Sequence, residues 1–121
     1  MKNTLKILYV EDEKINRFIF EKLMGKKYQI ITAKNSPDGI EILEKEHDID
    51  FIVIDMRMPI MNGIEFIREV HKKHQDLRCF ILTDYSINQE IQEAIDEGLI
   101  LCYWSKPADF DMIDKTLQQY A

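Results

Sequence analysis

The feature that most restricts the fold of this chain is an alternation running from one end to the other: short apolar runs separated by longer segments of helical period. The runs are Leu5 to Val10, Gln29 to Ala33, Phe51 to Ile54, Cys79 to Leu82 and Ile100 to Trp104. Three of them are almost wholly apolar, which suits central parallel strands covered on both faces. Between the runs, Ile15, Phe18, Ile19 and Leu23 fall at i, i+3, i+4 and i+8, one stripe of a first helix that stops near Gly25. Ile40 and Leu43 mark a second helix, started by Ser36 and Pro37 as cap and first-turn residue, with His47 at its end, where the helix dipole favours an imidazole. Ile64, Ile67 and His71 mark a third after Asn62-Gly63; Ile87, Ile91 and Ile95 a fourth ending at Gly98; Phe110, Ile113 and Leu117 a fifth with Asp109 and Asp111 near its start. Strands that alternate with helices through short loops define an α/β protein, an open, doubly wound five-stranded parallel sheet with helices on both faces. In such a sheet, function belongs in the crevice at the carboxyl ends of the strands, where the strand order switches.

Composition narrows the class. The chain of 121 residues carries 22 acidic and 16 basic residues, a net charge of −6, which argues against direct binding of nucleic acid or an anionic membrane. The basic pairs Lys26-Lys27 and Lys72-Lys73 read as solvated helix ends. No apolar stretch approaches a membrane span and the first residues lack a signal-peptide core. Cys79 and Cys102, each inside an apolar run, read as buried free thiols of a reducing cytoplasm. One domain, residues 1–121, is expected, with a core large enough to need no metal or disulfide.

Two apolar runs end in carboxylates: Leu8-Tyr9-Val10 leads into Glu11-Asp12-Glu13, and Phe51 to Ile54 into Asp55. In a parallel sheet these ends share one edge. If the first and third strands are neighbours, Glu11, Asp12 and Asp55 converge, and like charges that close call for a cation or a held proton. Oxygen-only ligands favour Mg2+. Thr83 at the end of the fourth run and Lys106 just after the fifth add a hydroxyl and a fixed positive charge at the same edge. Three acids, a hydroxyl and a lysine make a site for a phosphoryl group, with Asp55 as the nucleophile that forms an acyl phosphate.

At these residues the sequence resembles the receiver domains of two-component response regulators. The resemblance covers essentially the whole chain and rests on Val10-Glu11-Asp12-Glu13, Asp55-Met56-Arg57-Met58-Pro59 with Asn62-Gly63, Leu82-Thr83 and Lys106-Pro107, in that order. It implies the flavodoxin-like (βα)5 arrangement with strand order 2-1-3-4-5. It also implies that Asp55 takes a phosphoryl group from a phosphohistidine on a histidine kinase or histidine phosphotransfer protein. Asp12 and Asp55 would then bind Mg2+ directly, Glu11 through water, and the backbone carbonyl of Arg57 as a further ligand. Thr83 and Lys106 would contact the phosphoryl oxygens, and the Lys106-Pro107 bond would be cis. Tyr103 matches the aromatic that turns inward as Thr83 shifts, so that phosphorylation biases the face formed by helix four, strand five and helix five toward a downstream protein partner or effector domain. A homodimer through that face is left open.

The chain departs from the family pattern at three places. Counting forward from Gly98 puts the switch aromatic at Cys102, whereas counting back from Lys106 puts it at Tyr103, as though the loop held one extra residue. Asp84 follows Thr83 where the family usually has Ala or Gly, a carboxylate that would slow or select the phosphodonor. Arg57 and Tyr85 occupy positions that tune phosphoryl lifetime in the family.

Other conspicuous residues read as structural. His71 and His74 have metal-compatible spacing but no third ligand; Met56, Met58 and Met61 read as packing under the loop; Trp104, on the face opposite Tyr103, reads as core. Two rivals to a signalling module, which turns over no external substrate, stand beside it. One is a receiver-like scaffold that is never phosphorylated. The other is a haloacid dehalogenase-type Mg2+ phosphohydrolase, which needs a general acid where this chain has Arg57.

Overall fold

The computed structural model describes residues 4–84 and 88–121. Tyr85 and Ile87, singled out above, lie outside the described residues. The element order is β1 (Lys6–Val10), α1 (Lys14–Met24), β2 (Gln29–Ala33), α2 (Ser36–Lys45), β3 (Phe51–Asp55), α3 (Gly63–Lys73), β4 (Arg78–Thr83), α4 (Gln89–Asp96), β5 (Cys102–Ser105) and α5 (Phe110–Gln119). The strands form one five-stranded sheet in the order β2-β1-β3-β4-β5, every neighbouring pair parallel. β1 and β3 are neighbours, with Val10 opposite Ile54, so the chain segments that follow them leave the same edge side by side.

The continuous apolar runs account for the centre. Phe51, Ile52, Val53 and Ile54 are all fully buried, because α2, α3 and α4 cover one face of the sheet and α1 and α5 the other. Strand alternation sorts the side chains. Leu8, Val10, Ile52, Ile54, Cys79 and Ile81 pack under Leu43, Ile64, Ile67, Val70, Ile91 and Ala94. Ile7, Tyr9, Phe51, Val53, Phe80, Leu82 and Trp104 pack under Phe20, Met24, Ile113 and Leu117. Trp104 stacks on Phe80 at 5.1 Å and its indole N–H donates to Thr116 Oγ1 at 3.4 Å, which settles it as a core residue.

Local signals set the helix ends, with corrections. The N-cap of α2 is Asn35, whose side chain accepts from Asp38 N, so Ser36 is the first helical residue and not the cap. The Asn amide takes the cap, leaving the buried Ser36 hydroxyl to donate to Met61 O at 2.8 Å and tie α2 to the β3–α3 loop. α2 ends at Lys45 with Glu46 as its C-cap, so His47 is exposed beyond the helix instead of ending it. α3 begins with a full capping box, Asn62 accepting from Glu65 N while Glu65 accepts from Asn62 N. Gly98, at φ 79°, turns the chain out of α4. β5 starts at Cys102 instead of Ile100, and it is an edge strand; Cys102 is therefore half-buried, while Cys79 is buried, and both thiols are free.

α1 departs furthest from a simple amphipathic helix. Its buried residues are Phe20 and Met24, Phe20 lying flat on Tyr9 at 3.9 Å. The stripe read from the sequence faces solvent: Ile15 and Phe18 are 60% and 61% exposed, Leu23 and Ile19 less so. An apolar stripe ordinarily faces the core. Here α1 carries two apolar sets, and the smaller one is buried. No helix is long and apolar enough to cross a membrane among the described residues.

Candidate functional site

The β1–β3 pairing brings the acids together. Glu11, Asp12 and Asp55 each offer a carboxylate oxygen within 4.8 Å of one another, and that set is oxygen-only, as a hard divalent cation requires. The three environments differ. Glu11 is wholly buried and Asp55 nearly so, whereas Asp12 is exposed. Lys106 Nζ bridges two of them, 3.0 Å from Glu11 Oε1 and 3.4 Å from Asp55 Oδ2. Glu11 Oε1 also accepts from Asn16 Nδ2 at 3.2 Å and lies 3.4 Å from the Tyr9 hydroxyl, and Glu11 Oε2 accepts from Glu13 N at 3.3 Å. Asp55 Oδ1 accepts from Arg57 N at 3.3 Å.

The charges follow from these contacts. Burial, then the Glu11 carboxylate, pushes the Asp55 carboxyl up to about 6. Burial would raise Glu11 too, but the Lys106 ammonium holds it below the usual carboxylate range. Burial and the neighbouring Glu11 raise Asp12. Desolvation would lower Lys106, yet its bonds to Glu11 and Asp55 outweigh that and raise it. Lys106 bridges two of the three carboxylates, Glu11 and Asp55, and three acids gathered around one lysine favour a divalent cation beside the exposed Asp12.

Thr83 closes β4 and is fully buried. Its carbonyl accepts from Lys106 N at 2.6 Å, which joins the ends of β4 and β5, and the Lys106-Pro107 bond is cis. Asp84 next to it is exposed. The β4–β5 register puts Tyr103 and Cys102 on opposite faces of the sheet. Ile81 faces Tyr103 and Thr83 faces Ser105, so Tyr103 shares the sheet face of Thr83, half-buried against the α2–α4 side. Cys102 lies on the other face with Trp104. Met56 and Met58 are buried and Met61 is packed beside them, as read. His71 Nε2 lies 3.0 Å from Leu77 O, and His74 caps the end of α3; the two histidines belong to no metal-type cluster among the described residues.

Three contributors escape a residue-by-residue reading. Tyr9 was legible in principle, since strand alternation puts it on the same face as Glu11 two residues on. Asn16 and Arg17 act only because α1 turns back over the loop that precedes it, and sequence spacing carries no signal for that.

A 2-1-3-4-5 parallel sheet that gathers three carboxylates, a hydroxyl and a lysine at the carboxyl ends of its strands has the architecture of a receiver domain. The family model for the response regulator receiver domain matches residues 7–118, and the chain belongs to that family. It is similar to sporulation initiation phosphotransferase F of Bacillus subtilis (strain 168), 32% identical over 116 residues that cover 95% of this chain and 92% of that protein. It is 33% identical to part of the sensor histidine kinase RcsC of Escherichia coli (strain K12), covering 95% of this chain but 12% of the kinase. Among solved structures, a receiver domain protein from Clostridium thermocellum superposes with a TM-score of 0.89 at 26% identity, covering 95% of this chain and 92% of the other. The response regulator TrrA from Thermotoga maritima, solved with Mg2+-BeF, superposes at 0.81 with 25% identity over 98% of this chain and all of TrrA, 100%. The chain is thus a phosphorylation-based signalling module of two-component systems, a family whose acidic pocket binds Mg2+.

Proposed function

We propose that residues 1–121 act as one receiver in the cytoplasm, with Asp55 as the phosphoacceptor. The observation that carries this reading is the convergence of Glu11, Asp12 and Asp55 within 4.8 Å, with Lys106 bridging Glu11 and Asp55. The donor is a phosphohistidine of a histidine kinase or histidine phosphotransfer protein. An Asp55 oxygen attacks phosphorus in line; the P–O bond forms as the P–N bond breaks, and the imidazole leaves with the electron pair and takes a proton. Asp12, Asp55 and the Arg57 carbonyl would hold Mg2+, with Glu11 acting through water, and the ion would neutralise charge on the phosphoryl oxygens. Lys106 and the Thr83 hydroxyl take the remaining oxygens. The exposed stripe of α1, Ile15, Phe18, Ile19 and Leu23, is the surface on which the donor lands, because Ile19 and Asn16 line the groove that also contains Lys106.

Phosphorylation adds charge next to Glu11 and draws Lys106 and Thr83 toward Asp55. Tyr103 shares a sheet face with Thr83, so a shift of Thr83 alters the space available to it, and the α4–β5–α5 face passes the change to a downstream protein or effector domain. Arg57, Asp84 and Tyr85 tune rate and lifetime. The test is intact-mass analysis after incubation with Mg2+ and acetyl phosphate. One added phosphoryl group is expected, absent in Asp55→Asn and with EDTA; label that survives Asp55→Asn, or sustained release of phosphate from unrelated esters, overturns the reading.

A further inference from the structure

Two consecutive side chains of α1 reach back onto the acid-bearing loop. Asn16 donates to the Glu11 carboxylate at 3.2 Å. Arg17 does more: its Nη1 donates to the main-chain carbonyls of Glu11 and of Asp12, each at 2.9 Å. Its own N–H closes on Glu13 O at 3.1 Å, so the side chain is anchored one turn from the loop it holds. Other bonds hold this loop at Glu11, whose N–H donates to Ala33 O at 3.0 Å and whose carboxylate takes Lys106, Asn16 and Glu13 N; Arg17 adds bonds to the main chain on the Asp12 side. Glu13 caps α1 without a side-chain hydrogen bond, and Glu11, Asp12 and Glu13 are three successive carboxylates whose repulsion favours spreading them apart.

Bonds to two successive carbonyls fix two successive peptide planes, and with them the directions in which the Glu11 and Asp12 side chains leave the backbone. We propose that Arg17 is a positioning residue for the divalent-cation site, holding the Glu11–Asp12 segment in its cation-binding conformation before the ion arrives. This rests on the reading of Glu11, Asp12 and Asp55 as a Mg2+ site. With Arg17 in place, the loop is ordered at folding; without it, the same ordering is charged to ion binding. Partners of metal ligands commonly alter affinity by about 10- to 100-fold.

The sign of the effect separates this role from plain electrostatics. Arg17 is a cation beside a dication site, so a role exerted only through space would oppose binding, and its removal would tighten Mg2+. Positioning requires the opposite. The experiment is a MgCl2 titration of the full chain followed by amide NMR shifts, below melting temperatures established by circular dichroism. Arg17→Gln is expected to weaken Mg2+ about tenfold, and to speed amide hydrogen exchange at Asp12 and Glu13 in the metal-free protein. Arg17→Lys, whose shorter ammonium cannot serve both carbonyls, should weaken it about threefold. Unchanged or tighter affinity in folded Arg17→Gln overturns the proposal. Should that variant not fold, the same outcome in Arg17→Lys overturns it. A wild type that binds no Mg2+ overturns the reading of the cluster as well, which distinguishes the two failures.

Discussion

Gly63 offers the sharpest mechanical test of how the fold holds Asp55. It is the first residue of α3, its N–H donates to Met56 O at 3.0 Å, and it packs against the end of β3. A Cβ there would lie 2.9 Å from the Asp55 carbonyl oxygen and 3.2 Å from Met56 Cα. Both are backbone atoms of the segment that carries Asp55, the proposed phosphoacceptor, so nothing flexible can yield. Overpacking of this kind costs roughly 1–3 kcal/mol, and the gain from alanine in a first helical turn recovers under about 1 kcal/mol. A net loss of about 1–2 kcal/mol results. With an unfolding entropy of roughly 0.25 kcal/mol per degree for a chain of this length, Gly63→Ala should melt about 4–8 °C below wild type. The displaced Asp55 should also take label from acetyl phosphate about tenfold more slowly, since small misplacements of a nucleophile are expensive. Gly98→Ala is the matched comparison. A Cβ there meets nothing within 4 Å among the described residues, but the residue sits at φ 79°, so backbone strain alone should cost about 1 kcal/mol and leave labelling unchanged. The reasoning is refuted if Gly63→Ala melts at or above wild type, or if both variants slow labelling equally, which would trace the loss to stability and not to displacement.

Replacing Phe18 and Ile15 by serine should leave labelling by acetyl phosphate intact while slowing transfer from a phosphohistidine protein at least tenfold, read by parallel time courses with the two donors. Asp114, bonded to Lys27 at 2.6 Å and to the Tyr28 hydroxyl at 2.5 Å, has its carboxyl held below the usual range chiefly by Lys27. That stability is present above the unfolded carboxyl pKa and is lost as pH falls through the lower folded value; Asp114→Asn should therefore lower the urea midpoint at pH 7, with the difference closing toward pH 3. Ser36→Ala strips Met61 O of its donor in a buried position and should cost about 1–2 kcal/mol in urea melts, with no effect if water replaces the hydroxyl.

What the sequence revealed depended on whether one residue type served one purpose. Phe51 to Ile54 read correctly because a strand covered on both faces has to be apolar at every position, and the acids at the carboxyl ends of β1 and β3 meet because those strands are hydrogen-bonded neighbours. The facing of α1 was hidden because the helix carries two apolar sets, Ile15, Phe18, Ile19 and Leu23 beside Phe20 and Met24, and periodicity cannot say which one a neighbour covers. Asn35 and Ser36 are both good caps, and the structure gives the cap to Asn35 and the Met61 carbonyl to Ser36. Tyr103 and Cys102 were separated by parity in the β4–β5 ladder, a property of pairing that linear counting does not contain. The contacts of Arg17 depend on where a helix returns across its own preceding loop.

The outward stripe of α1 also sets how crowded a solution of this protein can become. Four large apolar side chains stay in water on one helix, and the net charge of −6 opposes the meeting of copies through them. That protection is colloidal: it weakens with added salt and is least near the isoelectric point of about 5.0. A free receiver therefore has a concentration ceiling fixed by ionic strength and acidity, and a partner seated on α1 raises that ceiling whether or not it carries a phosphoryl group.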